Sequence, residues 1–368
     1  MISLHRDAMT GKGNNLDTSD PRRWLFGLLL GLGLTSCSTV GFYSQALRGQ
    51  TEILSKARPV AEVLADPASK PRLKEKLTTV AKIRRYAQED LGLPAEGQYD
   101  RYTNLGRRYV VWVIFATPEF SVEAKRWWYP LVGRVKYRGF FEEAKAEKEA
   151  QKLRAQGLDV YLGGVEAYST LGYLRDPLLN TFLGRDDASL AELIFHELTH
   201  QRIYLAGDTD FNEALATAVG RAGTRRWLRS QGRWKDLAQY EKEMRVEKEF
   251  IREVLQTRTE VAALYAQKDL DEKAMREGKQ AAFARMKLRL EAMNRRQGGS
   301  LKLDRWFQKP MNNARLNTLA TYYDLVPAFE ARLRSHGGDI EAFLKEMEGL
   351  KTLAPMERRA KIQPSPAR

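Results

Sequence analysis

Cysteine is the scarcest residue in this 368-residue chain, which contains a single one, Cys37. One cysteine cannot build a disulfide framework or a zinc site of several thiolates, so a metal site would need nitrogen and oxygen ligands. Histidine is also rare, with four residues in the chain. Zinc-finger spacing, an RRM signature and a glycine-rich phosphate loop are all missing from the sequence, and we therefore expect no nucleic-acid partner.

Positive charge exceeds negative charge, with 61 lysines and arginines against 47 acidic residues and a net charge of +14. The two signs are mixed along helical segments rather than gathered in one basic block. Most of this charge therefore indicates solvated helix faces, in keeping with a nearby anionic membrane. With 43% hydrophobic residues, the chain can bury the core of one large domain or of two.

The apolar run near the amino terminus is short. Residues 24–34 read WLFGLLLGLGL, follow Arg22 and Arg23, and precede Cys37. Eleven residues are too few to span a bilayer core of about 30 Å at about 1.5 Å per residue, but they have the length of a signal-peptide core. The pattern resembles the lipobox of bacterial lipoproteins.

That resemblance implies that residues 1–36 are a signal peptide and that Cys37 is lipidated as the first residue of the mature chain. Ser38, rather than aspartate, is typical of lipoproteins sorted to the outer membrane. We expect a lipid-anchored protein on the periplasmic side of the bacterial envelope, with translation starting at Met1 or Met9. The alternative is an uncleaved anchor with an incidental cysteine.

Strand-like patterns occur only in the first half of the chain, between helical ones. β-Branched and aromatic residues crowd together there and predict a small sheet, whereas the apolar spacing elsewhere is typical of helices. The predicted fold class is therefore α+β and mainly α. The predicted elements are a helical stretch at 43–92, strands within 108–141, a helix at 141–155, a strand from 158 interrupted at Gly163 and Gly164, and helices beyond 210. The predicted segments are a signal peptide at 1–36, a helical and α/β part with an edge strand at 37–185, a helix pair at 186–231, a helical hairpin at 232–300 and a helical part with a loose tail at 301–368.

The predicted hairpin is distinct in composition. Residues 232–296 are dense in Glu, Lys, Arg, Ala and Leu and contain no proline. This pattern predicts two long amphipathic helices that pack antiparallel and turn near Asp269–Asp271. The hairpin is interpreted as a structural element packed on the rest of the chain, with a partner-binding arm as the alternative.

The pentapeptide HELTH, from His196 to His200, is the best candidate for a chemical site. Four residues apart on a helix, the two histidines share one face and could point their imidazoles at one ion. Ser189 and Glu192 predict a capping box that starts this helix. Glu197 could reach a water molecule on the ion without being a ligand itself. We expect one zinc ion here, with Glu197 as the general base.

Two histidines leave the site one protein ligand short, because catalytic zinc has three protein ligands and an open position for water. In an antiparallel helix pair, residues equidistant from the turn face each other, and this symmetry places Glu213 opposite His200. Glu213 is therefore the expected third ligand. Considered alone, Glu213 also fits the end of a capping box begun at Asp210. The residues expected to support the ligands by hydrogen bonds are Asn212 and Thr217.

HELTH followed by NEALA (212–216) resembles the gluzincin metallopeptidases, in which a glutamate of an N-E-x-x-A segment completes the H-E-x-x-H pair. The lipobox and several further segments resemble, more closely, a family of bacterial lipoproteins described as zinc aminopeptidases. The resemblance implies a zincin-like fold and zinc-dependent hydrolysis of a peptide or protein substrate. The segments that carry it are YSQALRGQ (43–50), WYPLVGRVKYRGFF (128–141), AYSTLGYLRDPLL (167–179), HELTHQ, FNEALAT and NNARLNTLATYYDLVPAF (312–329).

Hydrolysis of this kind also needs a group that stabilises the oxyanion opposite the zinc. Tyr322 and Tyr323 are the first candidates for that role, followed by Tyr168 and His336. Each of these residues could instead be a packed aromatic or surface side chain.

Substrate binding is expected at the segment before the HELTH helix. An edge strand above the metal could pair with the peptide backbone, and AYSTLG, which includes Tyr168 and Ser169, is the predicted strand. An aminopeptidase must also hold a free α-amine, and Gly163-Gly-Val-Glu166 loosely resembles the G-x-M-E-N segment that does so in some gluzincins. Glu166 is the expected amine ligand, although a strand-edge glutamate facing solvent would give the same sequence.

Three functions are therefore compatible with the sequence. The favoured one is a zinc aminopeptidase, and the alternatives are a zinc endopeptidase of the envelope and a non-catalytic envelope scaffold. Glu197 disfavours the scaffold, because a structural zinc site needs no base and usually closes with four protein ligands. The oligomeric state and the preferred substrate sequence are left open.

Overall fold

The computed structural model describes residues 37–129, 133–167, 169–170 and 174–362, with side chains from residue 44 onward. The predicted signal peptide and Tyr168 lie outside the described residues. The chain forms two compact units, Met1–Leu47, of which the described part is helical, and Arg48–Arg368. Among the described helices, none has both the length and the apolar character needed to cross a bilayer.

Helices dominate the described chain, and short strands lie before its middle. The prediction of an α+β fold that is mainly α is confirmed. The helices are α1 (Cys37–Ser55), α2 (Val60–Ala65), α3 (Pro71–Leu91), α4 (Glu143–Ala155), α5 (Asn180–Leu183), α6 (Asp187–Arg202), α7 (Thr209–Ser230), α8 (Trp234–Tyr265), α9 (Glu272–Arg296), α10 (Leu303–Phe307), α11 (Asn313–Tyr323), α12 (Val326–Ser335), α13 (Ile340–Gly349) and α14 (Pro355–Ile362). The strands are β1 (Arg58–Pro59), β2 (Arg101–Thr103), β3 (Val111–Pro118), β4 (Trp127–Tyr129), β5 (Gly133–Val135), β6 (Arg138–Phe140), β7 (Leu158–Val165) and β8 (Leu178–Leu179).

The main sheet has β3 at its centre, with β6 and β7 antiparallel on either side. Strand β7 runs through Gly163 and Gly164 without interruption, so the predicted break at these glycines is wrong. A Cβ atom on Gly164 would lie 2.3 Å from the ring of Tyr109. The glycine is therefore explained by an aromatic ring lying against the strand, not by a turn.

The edge strands of this sheet are β6 and β7. Strand β7 ends at Val165, and the described residues of AYSTLG form no strand. Instead, Thr170 donates its backbone N–H to the side chain of Asp176 at 2.9 Å. Once a side chain binds this N–H group, it is unavailable for a strand ladder, which explains the difference from the prediction.

Helix α6 begins earlier than its sequence suggests. Asp186 caps it, accepting the backbone N–H of Ser189 at 2.9 Å and the Ser189 hydroxyl at 2.6 Å. The predicted capping box of Ser189 and Glu192 is therefore wrong. In such a box the Glu192 side chain would accept the backbone N–H of Ser189, but Asp186 already accepts it. Glu192 accepts a hydrogen bond from the Tyr240 hydroxyl at 2.6 Å instead.

Two hydrophobic clusters hold the chain together. The larger includes apolar side chains of α3, α6, α7, α12 and α13. The smaller lies between the antiparallel helices α8 and α9 and the helices that follow them, and it includes Val254, Val261, Met286, Leu290 and Leu316. These two helices correspond to the predicted hairpin, and their apolar residues recur every three or four positions, as an amphipathic pair requires.

Candidate metal centre

Glycine brings helices α6 and α7 into close contact. A Cβ atom on Gly220 of α7 would lie 2.9 Å from the backbone oxygen of Glu192 on α6. One on Gly223 would lie 2.9 Å from the ring of Phe195. Side chains that point between the two helices are therefore forced within a few ångströms of each other.

Three of those side chains converge. The Nε2 atoms of His196 and His200 are 3.1 Å apart, and Glu213 Oε2 lies 3.3 Å from the first and 3.5 Å from the second. Tetrahedral zinc with bonds of about 2.0–2.1 Å requires ligand atoms about 3.3 Å apart. Two imidazole nitrogens and a carboxylate oxygen at this spacing could hold a metal ion, and they fit zinc.

The turn between the two helices is closed by Asn212. Its side chain accepts the backbone N–H of Leu205 at 2.9 Å and donates to the Leu205 carbonyl at 2.8 Å. Asn212 therefore supports the cluster through the turn that sets the register of Glu213. Thr217 is buried one turn beyond Glu213 on the same helix.

Basic side chains also hold the start of α7. Arg358 of the carboxy-terminal helix pairs with Asp208 at 2.7 Å, and both side chains are at least nine-tenths buried. Asp210 accepts hydrogen bonds from Lys136 at 2.7 Å and Arg359 at 3.0 Å. The first turn of the helix that carries Glu213 is thus fixed by residues from two distant parts of the chain.

The pKa values of Glu213 and its neighbour in the site, Glu197, are shifted in opposite directions. Burial alone would raise the pKa of Glu213, but the imidazoles of His200 and His196 outweigh it and lower the pKa to about 2. Burial raises the pKa of Glu197, and the Glu213 and Asp176 carboxylates add to the rise, while both histidines oppose it. Glu213 is suited to be a charged ligand, and Glu197 is suited to exchange a proton.

Two tyrosines interact electrostatically with the cluster. Burial, followed by the charge of Glu213, raises the pKa of both Tyr322 and Tyr137 well above the usual value, and Glu197 acts on both as well. Tyr322 was predicted from the sequence, whereas Tyr137 was missed. The only sequence signal for Tyr137 is its place in the aromatic segment WYPLVGRVKYRGFF, because its approach to the cluster depends on packing between distant segments.

The other oxyanion candidates have different surroundings. Tyr323 donates its hydroxyl to Glu247 at 2.9 Å and lies beneath Arg221, whose guanidinium carbon is 5.1 Å from the ring centroid. His336 Nε2 lies 2.6 Å from Glu346 Oε2. Of the two neighbouring tyrosines, Tyr322 is the one whose pKa is raised by the charges of Glu213 and Glu197.

The predicted substrate residues Glu166 and Ser169 lie in a polar region between β7 and α6. Glu166 pairs with Arg185 at 2.9 Å, and its backbone oxygen accepts the hydroxyl of Thr181. Ser169 donates to Asp176 at 3.1 Å. Both predicted side chains therefore have protein partners.

Asp176 and Tyr99 are further residues near Glu197 that the sequence did not reveal. Asp176 is buried and accepts hydrogen bonds from neutral groups of Ser169 and Thr170, and burial raises its pKa. Burial, with the charges of Glu197 and Asp176, raises the pKa of Tyr99, whose backbone has a φ of 55°. A left-handed backbone at a bulky residue is strained, and such strain is concentrated at functional sites.

Part of the edge of β7 is occupied. The backbone oxygen of Leu162 accepts a hydrogen bond from Lys309 at 2.7 Å, and that of Val160 accepts one from Asn312 at 3.0 Å. A peptide that adds to this strand can therefore pair only towards Val165, the end that leads to Asp176 and α6.

A family model described as "Putative aminopeptidase" matches residues 41–362. No match was found among curated proteins or among solved structures. The matched range includes the helix pair, the hairpin and the three candidate metal ligands.

Proposed function

Because the chain belongs to the family described as "Putative aminopeptidase", we propose that it is a zinc-dependent aminopeptidase whose metal ligands are His196, His200 and Glu213. The observation that carries the proposal is the spacing of the three donor atoms, 3.1, 3.3 and 3.5 Å, between two buried helices. A zincin-like, gluzincin-type arrangement is part of the proposal.

Zinc, when bound, supplies a Lewis acid that polarises the scissile carbonyl and makes a water molecule more acidic. Glu197 takes a proton from the attacking water and delivers it to the leaving amine, and its raised pKa suits both steps. Tyr322 donates its hydroxyl to the oxygen that becomes negative, because its raised pKa keeps the proton in place. Tyr137 lines the same region.

Recognition of a free α-amine requires a carboxylate whose charge is not already neutralised. Glu166 forms an ion pair with Arg185. This pairing makes Glu166 a weaker candidate for binding the α-amine. Asp176 has neutral partners in Ser169 and Thr170, so we assign the amine to Asp176. The pairing of Glu166 favours endopeptidase activity as the second candidate, since an endopeptidase needs no amine site.

The envelope location is proposed from the sequence alone. We propose that Cys37 is lipidated and anchors the chain to the outer membrane on its periplasmic side. Growth of the producing cells with a clickable fatty acid should label the wild-type protein, and Cys37→Ala should remove the label. Equal labelling of both proteins would contradict this assignment.

Aminopeptidase activity is tested with matched reporters. Residues 38–368, supplied with zinc, should hydrolyse leucine p-nitroanilide but not its N-acetyl form, and Asp176→Asn should raise KM more than it lowers kcat. Cleavage of N-blocked peptides with no cleavage of free-amine reporters would replace the proposal with the endopeptidase. A zinc-loaded protein that cleaves neither class would support the scaffold.

A further inference from the structure

The helical hairpin has no part in the chemistry described above, yet it lies along the helix that carries Tyr322. Tyr265 donates to Asn313 at 3.1 Å, and Arg258 donates to Asn317 at 2.8 Å. The third contact is that of Tyr323 with Glu247 at 2.9 Å. From the first contact to the third, the residue number increases in α11 and decreases in α8. The two helices are therefore antiparallel, and contacts join them at both ends of α11.

The contact at Glu247 belongs to a partly buried polar cluster that we call the brace, formed by Glu192, Arg221, Tyr240, Glu247 and Tyr323. Arg221 on α7 pairs with Glu247 on α8 and lies 3.5 Å from Glu192 on α6. Tyr240 donates to Glu192 at 2.6 Å. The Arg221 side chain is 6% exposed, whereas the Glu247 side chain is 34% exposed and lies at the solvent side of the cluster. The brace therefore joins helices α6, α7, α8 and α11.

The brace shares two helices with the residues of the proposed reaction, α6 with His196 and α11 with Tyr322. Glu192 lies one helical turn before His196, and Tyr323 follows Tyr322 directly in α11. The centroids of the two tyrosine rings are 6.5 Å apart. A displacement of Tyr323 must therefore displace Tyr322, because one rigid helical turn carries both side chains.

We propose that Glu247 is a positioning residue: by holding Tyr323 and Arg221, it fixes the position of Tyr322 on α11 and gives the hairpin its role in the reaction. This inference rests on the proposed function. Glu247 touches neither the metal ligands nor the substrate in this account. Its effect is transmitted through α11.

The geometric requirement is strict. A misplacement of about 1 Å at a reacting group can lower a rate about 100-fold. Glu247→Gln removes the charge that pairs with Arg221 and weakens the acceptor for the Tyr323 hydroxyl. We expect kcat to fall about 10- to 100-fold with KM and zinc content almost unchanged.

The matched control is Glu249→Gln. Glu249 lies two residues further along the same helix and pairs with the exposed Arg296 at 3.0 Å and with Gln297 at 3.0 Å. The substitution makes the same chemical change without touching the brace, so kcat should stay within about twofold of wild type. A loss of kcat equal to that of Glu247→Gln would overturn the proposal.

A double-mutant cycle tests whether Glu247 acts through Tyr322. In the Tyr322→Phe background, Glu247→Gln should cause little further loss of kcat, because the hydroxyl that it positions is already gone. Losses that simply multiply would show independent roles and overturn the proposal. If Glu247→Gln does not fold, as judged by circular dichroism, Tyr323→Phe replaces it, since this variant keeps the Arg221–Glu247 pair.

A spectroscopic readout separates this inference from the proposed function. With 3-fluorotyrosine placed at Tyr322, the ¹⁹F resonance should shift or broaden in Glu247→Gln and stay unchanged in Glu249→Gln. The resonance can be measured without any catalysis. If neither reporter is cleaved, the peptidase proposal is refuted, but the test of the positioning role by ¹⁹F NMR still stands. An unchanged resonance in Glu247→Gln would refute the positioning role.

Discussion

Gly220→Ala is the substitution whose outcome depends most directly on the packing of α6 and α7, the helices that carry the candidate metal ligands. The added Cβ atom would lie 2.9 Å from the Glu192 carbonyl oxygen and 3.5 Å from the His196 Cβ atom. An ordinary contact needs about 3.4 Å or more, so α6 and α7 must separate locally by roughly half an ångström. The neighbouring atom belongs to the backbone of a helix and cannot turn aside as a side chain can.

Two effects of opposite sign determine the stability change. Alanine stabilises a helix interior by about 0.8–1.0 kcal/mol relative to glycine. Overpacking typically costs about 1–3 kcal/mol. The expected net result is a destabilisation of up to about 2 kcal/mol. Zinc affinity should fall as well, because Glu213 on α7 moves away from the two histidines on α6.

Gly278→Ala is the matched comparison. Gly278 also lies within a helix, but the atoms that its Cβ would meet, at 2.7 and 2.9 Å, are the side-chain tips of Leu264, which can rotate away. Urea unfolding of the metal-free proteins should show destabilisation by Gly220→Ala and no loss for Gly278→Ala. Zinc affinity, measured by competition with a chelator, should fall only in the first. If Gly220→Ala matches Gly278→Ala in both measurements, the helices are not packed as closely as described.

Three further predictions follow from the site. Arg358→Met leaves Asp208 as a buried unpaired charge and should lower the free energy of unfolding by about 3–5 kcal/mol in a urea titration, whereas a change below 1 kcal/mol would show that the pair contributes little. Tyr322→Phe should lower kcat about 100- to 1000-fold in a steady-state assay with zinc content unchanged, and an unchanged kcat would remove Tyr322 from the reaction. In the metal-free chain, the pKa of Glu213 is lowered from 4.5 to about 2, so its stabilisation is present above pH 4.5 and is lost as the pH falls towards 2. The stability difference between wild type and Glu213→Gln should shrink over that range, and a constant difference would contradict the pKa shift.

The core of the candidate site could be predicted because its residues are close in sequence. His196, His200 and Glu213 lie on two consecutive helices joined by a short turn, so helical spacing and symmetry about the turn were enough to bring them together. Even there, the start of α6 was misjudged, since several nearby residues can compete to cap one helix. The ligand roles of the three residues stay predictions.

The surroundings of the site could not be predicted in the same way. Tyr99 and Tyr137 precede the helix pair by long stretches of chain, and Asp176 lies in the irregular segment before it, so their effect on Glu197 depends on tertiary packing. No local period or motif marks such residues. The hairpin shows the same limit, because its composition predicted two amphipathic helices but could not indicate that Glu247 would meet Tyr323.

The central claim is that one zinc ion is held by His196, His200 and Glu213, and titration of the metal-free chain with zinc by isothermal calorimetry tests it most directly. Wild type and Glu197→Gln should each bind one equivalent with similar affinity, because Glu197 is not a ligand. Alanine at either histidine and glutamine at Glu213 should each weaken binding severely. A wild-type chain that binds no zinc, or ligand variants that bind as wild type does, would contradict the account.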